Sequence, residues 1–253
     1  MSGRALACTA ASVVLALTPP ALAVAVDDSG GPSAQQLAQQ AKQNLLAATS
    51  VHLRLTDHSA GTAANKNSPI STDLTLDRKG NCVGTLRMGG KGGSVELIKQ
   101  GEQVWMKPDT AFWKAQVPGP QGDAVAQLFK DRYIHGTTKD AMLRGLSGTC
   151  DLNAFQQQVD TGPSSAGKSL TKGAETTVDG TKVIPLTGTE NGKQAVLYVT
   201  SGSPHRLVEA TQKGHGTDTT LAFSDYDKPV PSATPSPSQS VDVGKLQQRL
   251  QST

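Results

Sequence analysis

Residues 162 to 169, GPSSAGKS, complete the pattern GxxxxGKS/T, in which backbone amides and a lysine cradle the phosphates of a nucleotide. That chemistry needs a buried strand ahead of the loop and a helix opening behind it, so that the helix N-terminus faces the charge. The flanking residues have the wrong identity. Leu152, Phe155 and Val159 precede the loop at helical spacing, and LTKGAETTVDG follows it as a Thr-rich strand ending at the turn pair Asp179-Gly180. No apolar strand ending in an acid is at hand to hold magnesium, because KVIPLTG is interrupted by Pro185 and AVLYVTSG ends without one. The stretch reads as a Gly/Ser/Pro linker, and no nucleotide partner is expected.

The other reactive side chains are equally dispersed. His52, His58, His135, His205 and His215 form no HxH, HExxH or HxxxH pair for zinc, and His52 and His58 fall on the solvent side of an alternating strand. No GxSxG elbow is present, and the serines gather in linkers. Acid pairs such as Asp27-Asp28 and Asp225 with Asp227 read as solvated charge. Catalysis, a cofactor and a metal site are therefore not expected. Net charge is +3 with the basic residues spread along the chain, which gives neither a nucleic-acid stripe nor a polybasic membrane patch.

The N-terminus indicates a compartment. MSGRALACTAASVVLALTPPALAVAVDD carries Arg4, an apolar run from Ala5 to about Leu17, then Pro19-Pro20 and the small-residue series Ala21-Leu22-Ala23. This is the layout of a secretory signal peptide, cleaved after Ala23 or two residues later, and the prolines cut the run short of a membrane span. Residues 1–25 are thus expected to be removed. Of three cysteines, Cys8 goes with them and Cys82 and Cys150 remain as a pair. An oxidising compartment favours a bridge between them, and neither lies in a CxxC or beside a histidine, so the bridge reads as structural.

The elements that must carry these residues change period along the chain. A leader, 26–32, ends at Ser33, which with Gln36 makes a capping box ahead of the stripe Leu37, Ala41, Leu45 and Ala48. From VHLRLTDHS the period becomes two, and it recurs in STDLTLDR, CVGTLRM and SVELIKQGEQVWMK. AFWKAQ, DAVAQLFKDRYI, TKDAMLRGL and DLNAF then read as short helices. Strands return in TKVIPLTG, QAVLYVTSG, PHRLVEATQ and TDTTLAFSDY, with Asp179-Gly180 and Asn191-Gly192 as hairpin turns. The expected fold is α+β: a strongly curved antiparallel sheet with helices on one face, as one domain over 33–228. Residues 229–253 read as a Pro/Ser-rich tail in which VDVGKLQQRLQ adds a helical turn or stays disordered.

CVGTLRMGGKGGSVELIKQGEQVWMKPDTAFWKAQ, GLSGTCDLNAF, VDGTKVIPLTG, AVLYVTSGSPHRLVEA and FSDYDKPV together resemble the actinobacterial envelope lipoproteins of the LppX/LprG type, over roughly Ser33 to Val230. The resemblance implies a LolA-like half-barrel whose concave face, with helices packed on it, encloses a hydrophobic cavity for a lipid or other lipophilic molecule. It also implies a place in the cell envelope. Family members end the apolar run in a lipidated cysteine, whereas this chain has PPALAVAV there. A freely secreted protein is expected, unless translation starts upstream and presents Cys8 as the anchor.

Trp105, Phe112 and Trp113, within WMKPDTAFW, are the densest aromatic group in the chain. They are either ordinary core between strand and helix or the wall of a pocket completed by Leu53, Leu74, Leu86, Met88 and Leu97. Two functions stay open: a noncatalytic carrier or sensor of a lipophilic ligand, and a structural or interaction protein with a filled core, whose edges or tail meet an envelope or membrane partner.

Overall fold

The computed structural model describes residues 31–161, 169–190 and 192–244. The signal segment 1–25, residues 26–30 of the leader, residues 162–168 of GPSSAGKS, and Asn191 lie outside the described residues.

Helix α1 spans Ala34–Ala47 and starts where the capping box places it. Ser33 Oγ accepts from Gln36 N at 3.2 Å, and Gln36 Oε1 accepts from Ser33 N at 2.8 Å. Its buried side is Ala34, Leu37, Ala38, Ala41 and Leu45, small enough to let the helix lie close on a sheet. A first meander follows: β1 (Ser50–Asp57), the short exposed helix α2 (Ala60–Ala64), β2 (Pro69–Asp77), β3 (Cys82–Met88), β4 (Ser94–Gln100) and β5 (Gln103–Pro108). Helices α3 (Thr110–Gln116) and α4 (Pro120–Leu128), strand β6 (Tyr133–Thr137), and helices α5 (Ala141–Ser147) and α6 (Leu152–Thr161) make the middle of the chain. The second meander is β7 (Thr171–Lys172), β8 (Thr176–Val178), β9 (Thr181–Glu190), β10 (Lys193–Thr200), β11 (Leu207–Gly214) and β12 (Thr217–Ser224), and β13 (Ser240–Asp242) closes the described chain.

All strands join one sheet in the order β13-β6-β5-β4-β3-β2-β1-β12-β11-β10-β9-β7, with β8 also paired to β9. The two meanders are welded where β1 meets β12, with Leu53 opposite Phe223 and Leu55 opposite Leu221. Every pairing is antiparallel except that of β13 with β6. The sheet does not close on itself, and its apolar face carries the helices: α1 over β10 and β11, α3 over β4, and α5 over β4, β5 and β6. This is the expected α+β half-barrel.

Two segments differ from the sequence reading. YI of DAVAQLFKDRYI, read as the end of a helix, opens β6, because α4 stops at Leu128 and Ile134 pairs with Met106 of β5. An aromatic and a β-branched residue suit a half-covered strand better than a helix end once an edge is available to pair with. The tail also departs from its reading: Ser240–Asp242 forms β13 on the free side of β6, and Val243 is buried. Alternating Val241 and Val243 supply apolar side chains, and the exposed edge of β6 supplies unpaired backbone groups.

Cys82 in β3 and Cys150, in the 3-10 turn Gly148–Cys150, form the expected disulfide, with a Cα–Cα separation of 5.4 Å. It fastens the helical block to the sheet at the start of β3.

Candidate ligand-binding face

The local motif WMKPDTAFW is shaped by three turns of chemistry. Pro108 ends β5, since it has no N–H to continue the ladder. Asp109 then caps α3: its Oδ1 accepts from Phe112 N at 2.7 Å, while Oδ2 accepts from Ser94 N at 3.0 Å and from Ser94 Oγ at 2.8 Å. The approach depends on Gly93, whose φ of +75° and whose place against Phe112 N and Asp109 Oδ1 leave no room for a Cβ. Trp113 is thereby aimed inward, stacked on Phe129 at 5.4 Å and edge-on to Phe112 at 5.8 Å.

The aromatic group does not stay together. Leu97 lies opposite Met106 and Ile98 opposite Trp105, so period two puts Trp105 on the outer face, away from Trp113. There it stacks on His135 with ring centroids 4.6 Å apart. On that face it lies beside Ile98 and a polar group: Tyr133 Oη donates to Glu96 at 2.8 Å, and Lys107 pairs with the same carboxylate at 2.8 Å. The hydrogen bond that Lys107 donates to Glu96 holds the lysine above its usual range, and burial, helped by Glu96, raises Tyr133.

The remaining expected pocket residues converge, but on one another. Leu53, Leu74, Leu86, Met88, Leu97 and Trp113 are each 8% exposed or less. All but Met88, which is buried outside that cluster, pack with Val95, Val104, Met106, Ile134 and Leu143 into a single core, and Phe112 covers its edge half-buried. Under α3 and α5 these side chains are buried against one another. Trp113 Nε1 is buried there without a hydrogen-bond partner among the described residues.

The second meander is different. Reading across the register gives one apolar row on the inner face: Leu55, Leu221, Ala210, Leu197 and Leu186, from β1 to β9. Leu186 is buried beneath α1 with Leu37 and Ala41, whereas Leu55, Leu221, Ala210 and Leu197 are only half-buried. On one side the row meets the covered residues Leu53, Phe223 and Val199; on the other it meets Thr219, Gln212, Ala195 and Gly188. Phe155 of α6 sits over Phe223 at 6.0 Å, and Leu170 lies against Gly188 at the edge. An apolar strip bounded by a packed helix and a rim of small and polar residues can take an aliphatic chain lengthwise, and nothing in it can activate a bond. The sequence carried the signal only as alternation within each strand. Which alternating residues share a row depends on pairings between distant segments.

One polar constellation went unread in the sequence. On the outer face His52 lies between Asp73, whose Oδ1 is 2.7 Å from Nε2, and Ser224, whose Oγ is 3.1 Å from Nδ1. Asp225 Oδ2 approaches the same Nδ1 at 3.9 Å, and Arg54 pairs with Asp73 at 3.6 Å. The order serine, histidine, aspartate matches a nucleophile, base and orienter, yet carboxylates face both ring nitrogens and a guanidinium holds one of them. The row is a charged ladder across three strands beside an open cleft of about 250 Å³. His58 is exposed at the end of β1. Among the described residues no three of His, Cys, Asp and Glu gather as metal ligands.

No family model and no curated protein sequence matches the chain. Among solved structures it is similar to LprF from Mycobacterium bovis, with a TM-score of 0.53 and 15% identity over 81% of this chain and 98% of that one. It is likewise similar to the lipoprotein LppX of Mycobacterium tuberculosis, with a TM-score of 0.50 and 15% identity over 79% and 98%. At such identities the likeness is one of fold: the chain shares the open α+β half-barrel architecture of LprF and LppX.

Proposed function

We propose that this is an exported, noncatalytic carrier or sensor that shelters a lipid or other lipophilic molecule on the inner face of its half-barrel. The observation that carries this reading is the half-buried row Leu55, Leu221, Ala210 and Leu197, which continues a packed core without being closed over as that core is. The likeness to a lipoprotein of the mycobacterial envelope supports an envelope setting, and the apolar run from Ala5 to Leu17 supports export. No described helix is long and apolar enough to cross a membrane. Around GPSSAGKS the described flanks are helix α6 before and strand β7 after, the reverse of what a phosphate loop requires, which supports leaving nucleotides out.

A second reading is favoured by the core buried under α3 and α5: a structural or interaction protein whose sheet needs no ligand, meeting an envelope or membrane protein through its edges. Organic extraction of the purified protein followed by mass spectrometry, together with uptake of a fluorescent fatty-acid probe, separates the two. The carrier yields extracted lipid, and Leu197→Gln lowers probe affinity about tenfold or more while the urea midpoint moves little, since the side chain is only half-buried. Repeatedly empty extracts and no uptake establish the structural reading instead.

A further inference from the structure

At the end of the half-barrel near the disulfide, four cations converge on an open cleft of about 380 Å³: Arg78 and Lys79 from the β2–β3 turn, Lys99 from β4 and Arg144 from α5. One carboxylate, Asp151, lines the same cleft, and its Oδ1 is taken by Ala154 N at 2.9 Å, capping α6. None of the four cations makes an ion pair with a carboxylate among the described residues. Arg78 donates to the neutral oxygens of Gln156, at 3.1 Å, and of Leu46, and Lys99 donates to the carbonyl of Gly80. Elsewhere on the surface lysines and arginines are commonly matched, as in Lys42 with Asp160, Lys114 with Asp123 and Lys213 with Asp218. Like charges brought together by three separate elements repel, and that arrangement is stable with least strain when an anion sits among them.

The cleft is also held in place. Gln156 Nε2 donates to the carbonyls of Leu45 and Ala48 at 2.9 Å each, so Arg78 is anchored through a buried side chain to the end of α1. Asn153 Nδ2 donates to Arg78 O at 2.8 Å and ties the turn to α6, and Cys150 ties the same corner to β3. A planar guanidinium fork with two ammonium groups beside it suits a compact, multiply charged oxyanion.

We propose that this cleft is a binding site for a phosphate group, carried either by a lipid headgroup at a membrane surface or by a small soluble phosphate ester. The site goes beyond the carrier reading, since it uses none of the residues of the apolar row. The test is calorimetric titration of the purified protein with inorganic phosphate and with glycerol phosphate, and cosedimentation with phosphatidylcholine vesicles with and without phosphatidylglycerol. Lys79→Gln with Arg144→Gln removes two exposed cations that hold no side-chain partner, so folding is retained; Lys213→Gln on β11 serves as control.

Loss of two charged hydrogen bonds is expected to weaken binding at least about tenfold, with the control unchanged. Binding that weakens as salt is added agrees with it. Binding to both soluble phosphates identifies a soluble ester, and binding only to the anionic vesicles identifies a headgroup. Absence of binding to all of them, or binding that the double variant leaves intact, overturns the proposal.

Discussion

Trp113 and Trp105 stand eight positions apart in one short motif and end on opposite sides of the sheet, and the difference between them is register. Trp113 follows the cap at Asp109 into the core, where its ring stacks on Phe129 and its Nε1 is left unpaired. An unpaired buried donor carries a desolvation cost of about 1–3 kcal/mol, while the ring's burial stabilises by more than that. Trp113→Ala should therefore lose about 3–5 kcal/mol in urea unfolding through the cavity it leaves. Trp113→Phe keeps much of the stack and removes the orphan N–H, so it should lose less than half as much; equal losses would show that the indole nitrogen is hydrogen-bonded in solution. The sequence showed that an aromatic cluster existed. It did not show that one of its members faces outward, because the phase of β5 is fixed by Leu97 opposite Met106 and not by anything within the motif.

At the scale of elements, alternation revealed the strands and turn chemistry revealed their ends: Asp179 and Gly180 take φ of 46° and 77°, as a primed hairpin turn between β8 and β9 demands. The pairing of β1 with β12 was not legible, because it joins segments separated by the whole helical block and no local residue specifies it. The disulfide reports on that same long-range organisation. It closes 68 positions, so replacing both cysteines by alanine should lower stability by up to roughly 4 kcal/mol in the chain-entropy model, measured by the shift in urea midpoint. A pH effect belongs to β11. Burial pushes the Glu209 carboxyl above its ordinary range, and the charge of Asp179 adds to it. A carboxyl that binds its proton more tightly folded than unfolded carries no penalty at low pH and a full one once both states are ionised. Glu209→Gln should accordingly raise the melting temperature at neutral pH, by the equivalent of about 0.5 kcal/mol for so partly exposed a group, and should bring no gain near about pH 3. A gain that persists at low pH would mean that packing, not ionisation, is responsible.

For the molecule as a whole, the two meanders play different parts. The first is buried under its helices, and the second leaves the row Leu55, Leu221, Ala210 and Leu197 half-buried. The open sheet has ends that must be protected, and the C-terminal segment protects one of them. Ser240, Val241 and Asp242 lie alongside Tyr133, Ile134 and His135; Val243 is buried; Gln100 Nε2 donates to Pro231 O at 3.0 Å as the segment crosses the turn of β4 and β5. A Pro/Ser-rich composition hides this, since three residues of strand following a proline-rich run give no periodic signal long enough to read. Truncation after Lys228 tests it. Removing the apolar burial of Val243 and half-buried Val241 and the ladder bonds to β6 should cost about 2–4 kcal/mol in unfolding free energy. It should also bare a β6 edge whose outer neighbours include Trp105, and an uncovered edge pairs with another copy. Light scattering of the truncated protein should then show association that grows with concentration. A truncated protein that keeps its midpoint and stays monodisperse would mean that β13 rests on the sheet without stabilising it, and that β6 is shielded by its own charged neighbours, Lys107 and Glu96.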